Sequence, residues 1–342
     1  MLKTAIVILN FNGKHFLEKF LPSVVQNSSQ NAETMIFVAD NASNDDSLLF
    51  LKERYPQIKT IILDKNYGFA EGYNLALERV KADFVPKYYV LLNSDVEVTS
   101  NWLAPLENLL ENDTEIAACQ PKILSYHQKT HFEYAGGAGG FLDRFGFAFC
   151  RGRIFDTLEE DKGQYNDTRQ VFWATGACMF VRANVYHELG GLDGYFFAHQ
   201  EEIDLCWRMQ NNNKKVFYCA ESTVFHVGGG TLHKSNPKKT YLNFRNNLIL
   251  LHKNLPNTFS SFWVLHFRLN LDGLASINFL LKGQFRDFWA VLRAHYGYYH
   301  YLFFHKKTPI EKLNPQNKNT KLYPKSIVWA YFVKKIKKFS DL

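Results

Sequence analysis

Apolar and polar positions alternate between two periods over the first hundred residues of this chain. Residues 3–9, 34–39, 60–63 and 88–92 are short, nearly continuous apolar runs, the pattern of strands covered on both faces. Between them, residues 14–26, 45–54 and 70–80 read as helices packed by one face. Strands alternating with helices predict βαβ units and a mainly parallel sheet. Each apolar run ends in polar residues: Asn10-Phe11-Asn12-Gly13, Asp40-Asn41-Ala42-Ser43, Asp64-Lys65-Asn66-Tyr67-Gly68 and Asn93-Ser94-Asp95. Open α/β sheets gather ligands at strand carboxyl ends, so four polar tips on one rim predict a binding crevice. Asp95 stands there as a ligand for a hard divalent cation, and the competing reading is a turn cap.

The later pattern is less regular. Residues 125–170 are loop-rich and predict an irregular insertion beside the site, placed as a lid would be. Its glycine run, 136–140, lacks the strand–turn–helix context of a phosphate loop and reads as a flexible hairpin. Regular structure is expected again over 171–182, in a helix over 201–210, and in strand pieces 216–219 and 224–225 that lead to His226. From residue 255 the chain is rich in Phe, Trp and Tyr, but Arg268, Asp272, Lys282 and Arg286 interrupt it. No stretch of about eighteen uncharged apolar residues occurs, so no spanning helix is expected. The opening apolar run is also too short for a signal peptide.

Charge changes this picture more than composition does. The net charge is +7, yet residues 231–342 hold 19 Lys and Arg against 4 Asp and Glu, while the preceding residues balance to −8. A basic tail points to a polyanionic partner, with a plainly solvated basic face as the alternative. In residues 327–339 (IVWAYFVKKIKKF), Trp, Tyr and Phe stand beside Lys334, Lys335, Lys337 and Lys338. That composition suits a short helix at a membrane interface, and equally an ordinary terminal helix packed on the domain. The five cysteines form no Cys-x-x-Cys pair, which argues against structural zinc or a disulfide framework and for a reducing, cytoplasmic setting.

Glu201, Glu202 and Asp204 crowd the expected first turn of a helix, next to Tyr195-Phe196-Phe197. The helix dipole tolerates such charges. Three carboxylates beside aromatic rings also repel one another, which raises a pKa and makes a better base. His226, at a strand end before glycines, reads as a metal ligand or a structural hydrogen-bonder.

These residues, in this order, resemble a family 2 (GT-A fold) glycosyltransferase of the rhamnosyltransferase-like bacterial branch. The matching pieces are VILNFNG (7–13), VADNAS (38–43), NYGFAEGYN (66–74), LLNSDVEV (91–98), TGACMFVR (175–182), residues 190–208, His226 and the Arg245-Asn246 pair of NFRNN. The resemblance covers about residues 4–247. It implies a GT-A domain over 1–250, with a nucleotide-sugar half (1–100) and an acceptor half (101–250), followed by a helical, basic tail over 251–342. It further implies that Asp40 recognises the nucleotide base with Phe11 nearby, and that Asn66 and Asn74 line the nucleotide pocket. Asn93 and Asp95 take the Asp-x-Asp position, with Asp95 and His226 binding Mg²⁺ or Mn²⁺ against the diphosphate. Glu202 takes the general-base position, Glu201 is its alternative, and Asp204 supports the helix. Trp173 and Trp207 are expected on the acceptor side.

The function so implied is inverting transfer from a nucleotide-diphosphate sugar donor to a cell-surface polysaccharide or lipid-linked saccharide acceptor. The enzyme would lie at the inner face of the cell membrane, in peripheral contact with anionic lipid through the tail. A sugar nucleotidyltransferase would need a basic glycine-rich loop after the first strand, which LNFNG lacks. A basic nucleic-acid-binding protein would leave Asp95 and the acidic cluster without a role, so no nucleic acid partner is expected.

Overall fold

The computed structural model describes residues 2–28, 32–228, 236–305 and 322–342. The first half folds as its apolar pattern predicts: β1 (Thr4–Asn10), α1 (Lys14–Ser28), β2 (Thr34–Asp40), α2 (Ser47–Arg54), β3 (Lys59–Ile62), α3 (Gly68–Phe84) and β4 (Tyr88–Asn93). Then come β5 (Val96–Val98), α4 (Leu103–Asn112) and β6 (Ile116–Ser125). Four short strands follow, β7 (Gly140–Leu142), β8 (Ala148–Cys150), β9 (Arg153–Ile154) and β10 (Thr157–Leu158). The chain continues through β11 (Arg169–Val171), β12 (Cys178–Arg182), α5 (Ala183–Glu188), α6 (Glu201–Asn211) and β13 (Lys215–His226). It ends in α7 (Pro237–Asn254), α8 (Phe259–Leu281), α9 (Phe285–Phe304) and a terminal segment.

A nine-stranded sheet runs β11-β13-β6-β12-β4-β1-β2-β3, with β5 on β13. β1 pairs in parallel with β2 and β4, and β2 with β3, so the four predicted polar tips share one rim. β1 and β4 are buried nearly throughout, which accounts for their uninterrupted apolar sequence. β12 runs antiparallel between β4 and β6, joining the parallel first half to the parallel β6–β13 pair. After β4 the chain turns at Ser94-Asp95, and β5 pairs with the end of β13 so that His226 lies opposite Val96. The sheet register therefore delivers His226 to Asp95.

Several expectations are corrected. Residues 125–170 are not an irregular lid, because β7–β10 form a four-stranded antiparallel sheet within them. The glycine run is no flexible hairpin. A Cβ at Gly140 would lie 2.0 Å from the Trp173 ring, and one at Gly137 2.5 Å from the Arg151 carbonyl, while Gly136, Gly137 and Gly139 all have positive φ. Glycine is used there because the Trp173 ring and the Arg151 carbonyl leave no room for a Cβ and the backbone turns through positive φ. Residues 172–177 interrupt the expected regular stretch, and the two expected strand pieces join as β13 through a bulge between Cys219 and Thr223. The glycines and threonine of 229–231, and residues 306–321 of the tail, lie outside the described residues.

The tail is helical, and among the described residues no helix is long and apolar enough to cross a membrane. The helix expected over residues 327–339 is reduced to a turn at Trp329–Val333. Ile327 and Ala330 are buried with Phe149 and Ile154. The Phe339 ring sits 5.1 Å from that of Phe141, and Tyr331 shares a hydrogen bond with Thr157 (2.8 Å). For these side chains the domain-packing alternative is what the structure shows.

Candidate active site

The donor-side rim is tied together by short polar side chains. Asn10 Nδ2 donates to Asp40 Oδ2 (3.0 Å) and the Ser43 amide to Asp40 Oδ1 (2.8 Å). Asp40 is fully buried, so it organises the rim from beneath rather than offering the open carboxylate expected for base recognition. Asn41 Nδ2 donates to Asn66 Oδ1 (3.1 Å) and to the Gly68 carbonyl (2.9 Å), coupling the second and third tips. Phe11 is exposed beside this rim. Asn74 departs from expectation. Its Oδ1 accepts from Tyr186 Oη (2.7 Å) and the Leu192 amide (3.0 Å), and its Nδ2 donates to the Leu192 carbonyl (2.7 Å). Its amide staples α3 to Tyr186 and Leu192.

At the fourth tip, His226 Nε2 lies 3.2 Å from Asp95 Oδ1, and its Nδ1 lies 3.1 Å from Glu133 Oε2. All three residues are buried. Asn93 Nδ2 is 3.5 Å from His226 Nε2. Burial alone would push both carboxyls up, but the His226 charge and hydrogen bonds hold Asp95 and Glu133 below the usual range. Burial would likewise lower His226, and the two carboxylates outweigh it and raise the imidazole well above its ordinary value. Among the described residues no three metal-ligating side chains converge on one point. The donor set nevertheless fits a hard cation that takes Asp95 and His226 from the protein and its remaining oxygens from diphosphate and water. Glu133, on the far ring nitrogen, then orients the imidazole as an outer-shell carboxylate does. No sequence motif marks Glu133; its role exists only because residue 133 folds against β13.

The acidic helix start lies nearby. The Asn93 amide donates to the Ala177 carbonyl (3.0 Å), and a Cβ on the adjacent Gly176 would lie 3.9 Å from Glu202 Cβ. Segment 175–177 thus has the Asp95 turn on one side and Glu202 on the other. Burial pushes the Glu202 carboxyl up to about 7. Glu201 is raised well above the carboxylate range by burial and by the Glu202 charge. Among the described residues His199 Nε2, Gln200 Oε1, Glu201 Oε2 and Glu202 Oε2 are buried with no hydrogen-bond partner. Four consecutive side chains with unpartnered buried polar atoms make this the least satisfied polar stretch beside the Asp95 turn. Asp204 differs, bonding Arg208 Nε (2.8 Å) and Asn254 Nδ2 (2.8 Å) and pairing with Lys253 (3.1 Å). It supports the helix, as its place in the sequence suggests.

Residues 5–190 match the sequence profile described as Glycosyl transferase family 2. The chain belongs to that family. Among similar proteins, the family 2 chain is 23% identical over 248 residues to "Low-salt glycan biosynthesis hexosyltransferase Agl10" of Haloferax volcanii, covering 72% of this chain and 74% of the relative. It is 21% identical over 232 residues to "N-acetylglucosaminyl-diphospho-decaprenol L-rhamnosyltransferase" of Mycobacterium tuberculosis, covering 65% and 75%. The fold resembles the crystal structure of GalNAc-T7 with UDP, GalNAc and Mn²⁺ at TM-score 0.56 and 17% identity, over 74% of this chain and 48% of that one. The protein is thus a glycosyltransferase with a mixed α/β fold of GT-A type.

In this family 2 enzyme the loop before α6 is strained and held from outside. Phe197, His199 and Gln200 have φ of 66°, 72° and 76°. Non-glycine residues persist there only when their surroundings over-determine them. Asn246 Nδ2 donates to the carbonyls of Phe196 (3.0 Å), Ala198 (3.0 Å) and His199 (2.8 Å), and Arg245 Nη2 donates to those of Tyr195 (3.0 Å) and Phe196 (3.2 Å). Arg245 and Asn246 of the NFRNN motif therefore hold the loop that leads into the acidic residues. Asn246→Ala is expected to leave nucleotide affinity unchanged while transfer falls about 10- to 100-fold. Nucleotide titration beside a single-turnover transfer assay separates the two. Trp173 and Trp207, expected on the acceptor side, are core residues. Trp173 Nε1 bonds the Phe141 carbonyl (3.0 Å), Trp207 packs edge-on to Phe172, and both indoles are buried.

Proposed function

We propose that this glycosyltransferase inverts the donor's anomeric centre in a single displacement onto a saccharide or lipid-linked saccharide hydroxyl, with Glu202 as general base. The acceptor oxygen attacks the anomeric carbon, the bond from that carbon to the diphosphate oxygen breaks, and the hydroxyl proton passes to Glu202. The nucleoside diphosphate leaves with the bonding pair. Asp95 and His226 hold Mg²⁺ or Mn²⁺, which when bound stabilises the charge on that leaving group. Glu133 orients His226, and Asn93 borders the same pocket. Glu201 is the alternative base.

The observation that carries the reading is Glu202 itself. Its carboxyl sits near neutrality, has an oxygen without a partner among the described residues, and lies across three residues of backbone from the Asp95 turn. A base poised near the working pH is the efficient arrangement for proton removal. The printed name of the mycobacterial relative, a diphospho-decaprenol rhamnosyltransferase, supports a lipid-linked acceptor. A screen of nucleotide sugars for binding with and without Mn²⁺ tests the reading. One donor class is expected to bind, tightly only with the ion, and NMR of the product anomer to show inversion. Retention of configuration would refute the mechanism.

A further inference from the structure

Helix α8 is built inside out. Its buried positions carry Ser261, Arg268, Asp272 and Ser276, with Arg268 Nε bonded to Asp272 Oδ1 (2.8 Å) and its guanidinium 3.8 Å above the Phe147 ring. Its outward stripe, recurring at three- and four-residue steps, carries Phe259, Trp263, Phe267, Leu274, Ile277 and Leu281, and Leu281 is 81% exposed. A helix at a water-facing surface has the opposite arrangement. Helix α9 continues the face with Phe285, Trp289, Tyr296 and Phe303, each more than half exposed. Contiguous exposed apolar area on this scale marks an interaction surface.

We propose that the outward face of α8 and α9 beds on an anionic lipid bilayer. The charges around the face select this occupant. The carboxylates of α8 and α9 are turned away, Asp272 into its ion pair and Asp287 to Thr240 (2.5 Å), while Lys282, Arg286 and Arg293 are exposed. Such a rim complements anionic headgroups. It opposes a two-fold pairing of copies, in which each cation would meet its own kind with no carboxylate between them. The terminal segment reaches the inner, Arg268 side of α8 through touching rings. Phe332 lies 5.1 Å from Phe155, and Phe155 lies 6.4 Å from Phe147, over which Arg268 sits. Trp329 and Phe332 are exposed there with Lys334, Lys335 and Lys338. Neither α8 nor α9 is apolar enough to span, so the hairpin lies in the interface with its aromatic residues at headgroup depth. Tyr296 belongs both to this face and to a cavity of about 310 Å³ lined also by Tyr195, Tyr241, Arg293 and His300. Tyr195 stands in the turn that leads to Glu202. A bilayer on α9 therefore borders this cavity. The assignment deepens the lipid-linked reading and fails independently of it.

The test compares the full-length protein with the triple variant Trp263→Glu, Leu274→Glu, Trp289→Glu, whose sites are all solvent-exposed. Co-sedimentation is measured with phosphatidylcholine vesicles with and without phosphatidylglycerol, and circular dichroism checks folding. The wild type is expected to bind the anionic vesicles, with a blue shift of tryptophan emission and weakening as salt rises. The variant is expected to bind at least about tenfold more weakly. Equal vesicle binding by both proteins, or none by the wild type, would overturn the proposal. So would a wild-type dimer in sedimentation that the variant abolishes while vesicles go unbound. Transfer to a water-soluble acceptor, expected to be equal in both proteins, reads the catalytic proposal separately.

Discussion

Replacing Glu202 with glutamine is expected to lower transfer by about 10²- to 10⁴-fold while leaving nucleotide-sugar binding intact. Glutamine keeps the shape and one carbonyl oxygen of the carboxyl but cannot take the acceptor proton. Because burial places the Glu202 carboxyl at about 7, the wild-type rate should climb with pH through that region as the base is unmasked. The variant should lose this limb. If the rising limb survives in Glu202→Gln and disappears in Glu201→Gln, the base is one residue earlier. Stability should move the other way. A carboxyl raised in the folded state from its ordinary 4.5 contributes stability that is complete below about pH 4.5 and is lost as pH rises through about 7. Glutamine carries no such penalty, so at about pH 8 the variant should be more stable by on the order of 1–3 kcal/mol, and near pH 4 the two should agree. Urea melts at the two pH values check this.

The second large effect is expected at Asp95. Asp95→Ala should reduce transfer about 10²- to 10³-fold and remove the divalent-ion dependence of nucleotide-sugar binding. The turn itself should survive, because the bond from the Val227 amide (3.1 Å) goes to the Asp95 backbone carbonyl and not to its carboxylate. Glu133 also remains to pair His226. Calorimetric titration of the donor with and without Mn²⁺ reads the result directly. Retained ion dependence with unchanged turnover would make Asp95 a turn residue after all.

The first half of the fold was legible because its strands are buried on both faces and its helices on one, so the apolar pattern carries the topology. Asp95 and Glu202 were legible because a carboxylate at a strand tip and three at one helix start are chemically conspicuous. Other features depend on contacts that a linear pattern cannot carry. β9 and β10 are two residues each, too short to express an alternation. Glu133 gains its meaning from His226, 93 positions away. Asn74 has the residue type of a nucleotide ligand but is held by Tyr186 and Leu192. An indole suits a sugar platform and a core equally, and only burial distinguishes the two at Trp173 and Trp207. In the tail, composition suggested a membrane-contacting region without saying which residues face out: the terminal segment buries Ile327 and Ala330 while Lys334, Lys335 and Lys338 stay exposed, and the uncharged stripe of α8 faces out.

The grip of Asn246 on the carbonyls before α6 also sets an order of assembly. Synthesis delivers the chain from its N-terminus, and domains organise as their parts become available. Every strand of the main sheet, Asp95 and His226 included, precedes residue 236, whereas the amide that fixes the loop ahead of Glu202 arrives only with α7. A growing chain can therefore build its donor-side rim while the base is still unplaced. Competence for transfer comes last, with the helix that leads directly into α8 and α9.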